Sequence, residues 1–225
     1  MIHLLFGIRT GAQILKNLSV VFLQKAVKEQ LNESPKCTFI FIAACIAGYI
    51  FQNISNSWIY LAFFPAFAFE APWMFVTSIF LHADFSHLFF NMVALFFFGM
   101  SLERMIGRQA FMIIFLFSGV VGNLGYMITA TNPFIPSIGA SGSIYGVLGA
   151  LATLAPFMLV YVYGMVPIPM IVAAIIWGLL DFTGLFVPSG IAHGAHLGGM
   201  FIGVLFGLYH RFMLTRAYGP EAHYQ

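Results

Sequence analysis

Charge is what this sequence has least of. Asp, Glu, Lys and Arg make up 7% of its 225 residues, against about 25% in an ordinary soluble domain. With 61% hydrophobic and 17% aromatic residues, a soluble globule is excluded. Nine Lys and Arg against seven Asp and Glu leave a net charge of +2, too little to build a stripe that neutralises phosphates, which argues against nucleic-acid binding. Cysteine is nearly absent. Cys37 and Cys45 lie in or beside one apolar stretch without the paired spacing of a zinc site, and read as packing residues. The N-terminus also lacks the single apolar run and small-residue cleavage site of a secretory signal, so it is expected to stay attached.

What the chain has instead is length of apolar run. At about 20 residues per bilayer-spanning helix it holds about six or seven spans. Residues 1–36 carry Arg9, Lys16, Lys25, Lys28 and Lys36 among scattered apolar residues and read as an amphipathic cytoplasmic segment on the membrane surface. Apolar runs punctuated by Gly, Pro, Asn and Ser then predict helices over 37–54, 83–103, 109–130, 140–157, 168–187 and 191–213. The expected fold is all-α: a polytopic membrane bundle of six transmembrane helices over 37–213, with a short cytoplasmic tail at 214–225. The connection from Asn53 to Phe80 is aromatic and suits the membrane interface. Basic residues cluster in the N-terminal segment, at Arg104 to Arg108 and at Arg211 to Arg216, and are missing from 54–82, 131–139 and 188–192. This places both termini in the cytoplasm. Glu29 and Glu33 beside the lysines are foreign to a transit peptide, so a prokaryotic plasma membrane is expected.

A central Asp, Lys or Arg in a span costs about 2.5–3.5 kcal/mol on insertion scales, so polar groups there are functional candidates. They are His82, Asp84, His87 and Asn91 at the second span, Ser141 and Ser143 at the fourth, Asp181 on the fifth, and His193 and His196 on the sixth. All fall in the outer half. The stretch TNPFIPSIGA before span four holds two prolines and cannot be helical. Irregular backbone at that depth lines protein or water, so a wet pocket opening outward is expected. Ser141, in Gly139-Ala140-Ser141-Gly142, stands at a helix start whose free N–H groups can receive an oxyanion. The same small residues, with Gly146 and Ala150, equally suit tight helix packing. His196, followed by Gly199, Gly203 and Gly207, is either a general base or an interhelical hydrogen-bonder. His87 and Asn91, four apart, are oxyanion donors or a polar pair between helices. Tyr145 lies one turn after Ser141, placed to stack on the base or to fill the core. Asp84 reads as an N-cap. Asp181 is in position to orient a histidine, as in a soluble triad, or to sit at a helix end.

These residues resemble the rhomboid intramembrane serine proteases: His87-Leu-Phe-Phe-Asn91 on span two, Gly139-Ala140-Ser141-Gly142 with Tyr145 on span four, and Ala195-His196-Leu-Gly-Gly199 with Gly203 on span six. The resemblance covers about 37–213. It implies a dyad of Ser141 as nucleophile and His196 as base and then acid, with Tyr145 supporting the imidazole. The oxyanion would be held by the Ser141 N–H, His87 and Asn91 beside Gly139. It also places His82 near the site, the Asn53–Phe80 loop in the membrane, and span five, around Trp177 to Phe186, as a lateral substrate gate. Because the family works with a dyad, Asp181 is expected at a helix end or gate. Two features depart from the pattern: Met74 follows Trp73 where some bacterial members carry arginine, and His193 stands one turn before His196 as a rival base. The implied substrates are single-span membrane proteins cut in or near a helix weakened by Gly or Pro, with the lipid bilayer as setting and no metal or organic cofactor. The rivals are a transporter or channel, and a catalytically silent relative that binds membrane proteins.

Overall fold

The computed structural model describes residues 34–218 except 163, 164 and 188. The amphipathic segment before residue 34 and the end of the tail lie outside the described residues. Within them the chain forms helices α1 (Lys36–Ile54), α2 (Phe85–Ile106), α3 (Arg108–Thr129), α4 (Ser141–Leu154), α5 (Met170–Gly184) and α6 (His193–Tyr218). Four of them, α1, α2, α3 and α6, are long and apolar enough to cross a membrane. The apolar α4 and α5 are shorter, at 14 and 15 residues. Large apolar side chains such as Ile40, Phe90, Leu180 and Phe212 point outward, as they do on a surface solvated by lipid rather than water.

Helix α4 lies at the centre, with most of its residues buried, and packs most extensively on α6 and then α3. The close approach comes from glycine. A Cβ on Gly199 would run into the carbonyl of Gly142, and one on Gly203 into that of Gly146. The two small-residue faces seen in the sequence therefore meet each other, backbone against backbone.

Local signals fix the ends of the helices. The Asp84 carboxylate accepts the His87 N–H at 2.8 Å and caps α2 as expected. Helix α1 has no side-chain cap of its own. Instead Glu103, buried in α2, accepts from the N–H groups of Cys37 (2.9 Å) and Thr38 (2.7 Å) and from the Thr38 hydroxyl. A carboxylate at the positive end of a helix thus satisfies donors that lipid would leave bare. Gly107, at φ 81°, turns the chain from α2 into α3. A π turn over Leu95–Gly99 interrupts α2.

Two connections carry structure. Helix α4 stops at Leu154, short of the expected 157, because Pro156 disfavours helical backbone in the residue before it. The stretch after it folds into an antiparallel hairpin of β1 (Leu159–Val162) and β2 (Val166–Pro169), so that α5 starts at Met170 rather than at the expected 168. Val160 is buried between exposed Leu159 and Tyr161, but Leu159–Val162 is apolar throughout, so no polar alternation announces the strand. The aromatic connection between α1 and α2 winds through single helical turns from Asn56 to Phe80 and buries Phe63, Ala68, Ala71 and Met74 in a cluster of their own. Met74, where the resemblance allows arginine, is a packing residue here. Phe63 pairs through both backbone groups with Ser137, and Ala66 donates to the Pro133 carbonyl. The irregular run before α4 is in this way held by protein hydrogen bonds.

If the glycine contact sets the distance between α4 and α6, Gly203→Val should destabilise the protein by about 3 kcal/mol, at the upper end for overpacking. Gly178→Ala, whose added carbon would meet only the Met200 sulfur at 3.4 Å, should be near neutral. Thermal unfolding in detergent reads both.

Candidate active site

The Ser141 hydroxyl and the His196 ring face each other across the α4–α6 contact, with Oγ 2.9 Å from Nε2. The Tyr145 ring, one turn further along α4, lies flat on the His196 imidazole, with centroids 4.2 Å apart and an interplanar angle of 9°. Behind it, the other ring nitrogen of His196, Nδ1, is 2.8 Å from Asp181 Oδ1. His193 Nδ1 meets the same oxygen at 2.6 Å, while its Nε2 is 2.7 Å from the Ser189 hydroxyl. Asp181 lies in the last turn of α5, but its carboxylate faces inward and is only 4% exposed. Among described residues, Asp181, His193 and His196 bring three donor atoms within 4.8 Å of one another. A metal can use such a set, but the two hydrogen bonds already account for the approach.

A second group of side chains faces the start of α4 from the other side. Gly139 adopts φ 127°, a conformation that favours glycine, and a Cβ there would lie 2.9 Å from His87 Nε2 and 3.8 Å from Asn91 Nδ2. His87 Nδ1 is the acceptor for the Ala83 N–H at 3.4 Å, which leaves the ring proton on Nε2, turned toward Gly139. Asn91 is buried, and its amide nitrogen has no hydrogen-bond partner. Helix α4 has no side-chain cap, so its first-turn N–H groups remain available to an anion. Two side-chain donors and a helix start thus surround one small volume, the arrangement that stabilises a developing oxyanion.

His82 is fully buried beneath this volume. It meets His87 edge-on at 5.1 Å, and its Nε2 faces the Ala140 N–H at 3.5 Å. Gln52 holds the His82 backbone from α1 through both its amide atoms. Like Gln52, Asn123 and Ser78 support the site without belonging to the motifs read from the sequence. Asn123 of α3 donates to the Ser78 hydroxyl (2.8 Å) and the Phe75 carbonyl (2.9 Å), and the Ser78 carbonyl accepts the Gly139 N–H (2.9 Å). A lone asparagine in the apolar run of α3 was the available signal. Ser143 proves unconnected with the cluster: it is buried against Gly119 of α3. An apolar depression of about 380 Å³ lies elsewhere, between α1 and the aromatic connection.

The rhomboid domain model matches residues 70–211. The chain belongs to the rhomboid family. It is 35% identical over 136 residues to the putative rhomboid protease YdcA of Bacillus subtilis (strain 168), covering 59% of this chain and 64% of that protein. It is 36% identical over 146 residues to Rhomboid protein 1, mitochondrial, of Saccharomyces cerevisiae, covering 60% and 40%. It is also 31% identical over 180 residues to rhomboid protease GluP of Bacillus subtilis, covering 75% and 34%. The chain spans less than two thirds of the length of each of these relatives. With its apolar helices, membership of this rhomboid family makes it a multi-pass integral membrane protein.

Burial, helped by the neighbouring His87, pushes the His82 imidazole down from 6.5 to about 3. Between those values the unfolded chain binds a proton that the folded chain refuses, so stability falls as pH drops below about 6.5, by at most ~1.4 kcal/mol per pH unit. The fall in melting temperature from pH 7 to pH 4 should be smaller in His82→Gln than in the parent chain. Parallel curves would contradict this.

Proposed function

We propose that this rhomboid is an intramembrane serine endopeptidase that cuts peptide bonds in or near transmembrane helices of other membrane proteins. The observation that carries the reading is the 2.9 Å contact between Ser141 Oγ and His196 Nε2, joined by donors positioned for an oxyanion. Residues 37–213 form the protease domain on this reading.

In the first step Ser141 Oγ attacks the scissile carbonyl carbon while His196 Nε2 takes the hydroxyl proton. The carbonyl oxygen gains negative charge and is met by the Ser141 N–H, His87 Nε2–H and the Asn91 amide. These donors are fixed in advance in a site of low dielectric, where each is worth about 3–4 kcal/mol to the transition state. Collapse breaks the C–N bond, and His196 returns the proton to the departing amine. Water, deprotonated by His196, then attacks the acyl ester; His196 returns that proton to the departing Ser141 Oγ, and a carboxylate is released. Tyr145, stacked on the imidazole, limits its rotation. No metal or organic cofactor enters these steps.

A helical substrate hides its carbonyls in its own hydrogen bonds, so it has to unwind locally. Single-span proteins with Gly or Pro near the cut, and small residues at it, meet that demand at least cost. Entry from the bilayer suits the side where α2 and α5 meet through the edge-on pair Phe98–Trp177, making α5 the gate. The orientation follows the basic residues: both termini in the cytoplasm, the site toward the opposite face, in a prokaryotic plasma membrane.

Incubation with a fluorophosphonate followed by peptide mapping should place the label on Ser141 and find none in His196→Ala. Both Ser141→Ala and His196→Ala should abolish cleavage of a single-span model substrate while the helical fold persists. Cleavage surviving Ser141→Ala, or label on another residue, would overturn the reading.

A further inference from the structure

We propose that Asp181 is a positioning residue for His196, so that this chain works through Ser141, His196 and Asp181 rather than through two residues alone. The inference rests on the protease reading and deepens it.

An aspartate in the last turn of an apolar helix is costly unless something inside the protein occupies it. Asp181 is turned inward and is 4% exposed, and one of its oxygens meets two imidazole Nδ1 atoms, of His196 at 2.8 Å and of His193 at 2.6 Å. A carboxylate can only accept, so the proton lies on Nδ1 of His196 and the lone pair on Nε2, the nitrogen 2.9 Å from Ser141 Oγ. In the opposite tautomer Nε2 would carry a hydrogen and could not take the serine proton. The stacked Tyr145 ring holds the imidazole plane, and the hydrogen bond fixes its rotation within that plane. When the imidazole becomes cationic in the transition state, a buried anion one hydrogen bond away stabilises it.

The groups facing His196 are Ser141 and Tyr145 of α4, Asp181 of α5, His193 of its own helix and His87 of α2. His193 is the apparent competitor for the role of base. Its Nε2, however, contacts Ser189 rather than Ser141, and its Nδ1 is turned to the shared carboxylate. It holds Asp181 in place from the far side and stands outside the proton path.

The test measures kcat, KM and the pH profile on a single-span model substrate for the wild-type chain, Asp181→Asn and His193→Ala. Asp181→Asn should lower kcat by about 10²–10⁴-fold, the range for loss of a base's orienting partner. KM should stay within roughly threefold, and the pH profile of kcat should differ from that of the wild-type chain. His193→Ala should lose less than about tenfold, since the carboxylate remains. A wild-type chain that cleaves while Asp181→Asn matches its kcat and profile overturns this proposal alone, as does a larger loss in His193→Ala than in Asp181→Asn. A wild-type chain that fails to cleave overturns the protease reading and this proposal with it. If Asp181→Asn does not fold, ¹⁵N NMR of histidine-labelled wild-type protein at pH 8 still decides: a proton on Nδ1 of His196 supports the hydrogen bond, and a bare Nδ1 overturns it.

Discussion

Two helix backbones touching across paired glycines determine almost everything else in this protein. Where Gly199 meets the Gly142 carbonyl and Gly203 the Gly146 carbonyl, α4 and α6 come closer than any side chain at those positions would allow. In lipid there is no hydrophobic drive to bring helices together, and dispersion and polar contacts between close backbones take its place. That approach puts a short hydroxyl on one helix within a hydrogen bond of an imidazole on the other. It also lets the Tyr145 ring lie flat on that imidazole. With a larger residue in either face, Ser141 and His196 would still be present and would not touch.

A second constraint is that polar groups at this depth depend on protein for their partners. The Asp181 carboxylate is answered by two histidines, Glu103 by the open end of α1, and the irregular backbone before α4 by Phe63, Ala66 and Ser78. Some are not: among the described residues the Asn91 amide nitrogen, His82 Nδ1 and the Ser118 and Ser143 hydroxyls are buried without a hydrogen-bond partner. An isolated donor of this kind costs free energy in the resting protein; for Asn91, on the proposed reading, an oxyanion would offset that cost.

The sequence announced much of this. Apolar runs located the helices to within a few residues, because lipid imposes a strict length and composition on a span. Small residues four apart marked the α4–α6 faces, and Asp84 behaved as the cap its position suggested. The residues expected at the site, Ser141, His196, Tyr145, His87, Asn91 and Gly139, lie together in space, though a linear pattern could only suggest it. What escaped notice depends on distance rather than on order. Glu103 caps a helix that begins 67 residues earlier in the chain, and Asn123 supports the turn before α4 through Ser78. Nor does spacing alone tell which way the Asp181 carboxylate turns, since a gate residue and a buried hydrogen-bond acceptor both fit the last turn of α5. The hairpin after α4 is hidden because its first strand is apolar throughout and its second, Val166–Pro169, carries two prolines.

The most direct measurement of the central claim is an experimental structure of the chain with a phosphonate bonded to Ser141. The account predicts His196 Nε2 within hydrogen-bond distance of the Ser141 ester oxygen, and the free phosphonyl oxygen directed at His87, Asn91 and the Ser141 N–H. An adduct whose free oxygen points away from these donors, or a His196 ring swung out of reach of Ser141, would contradict it.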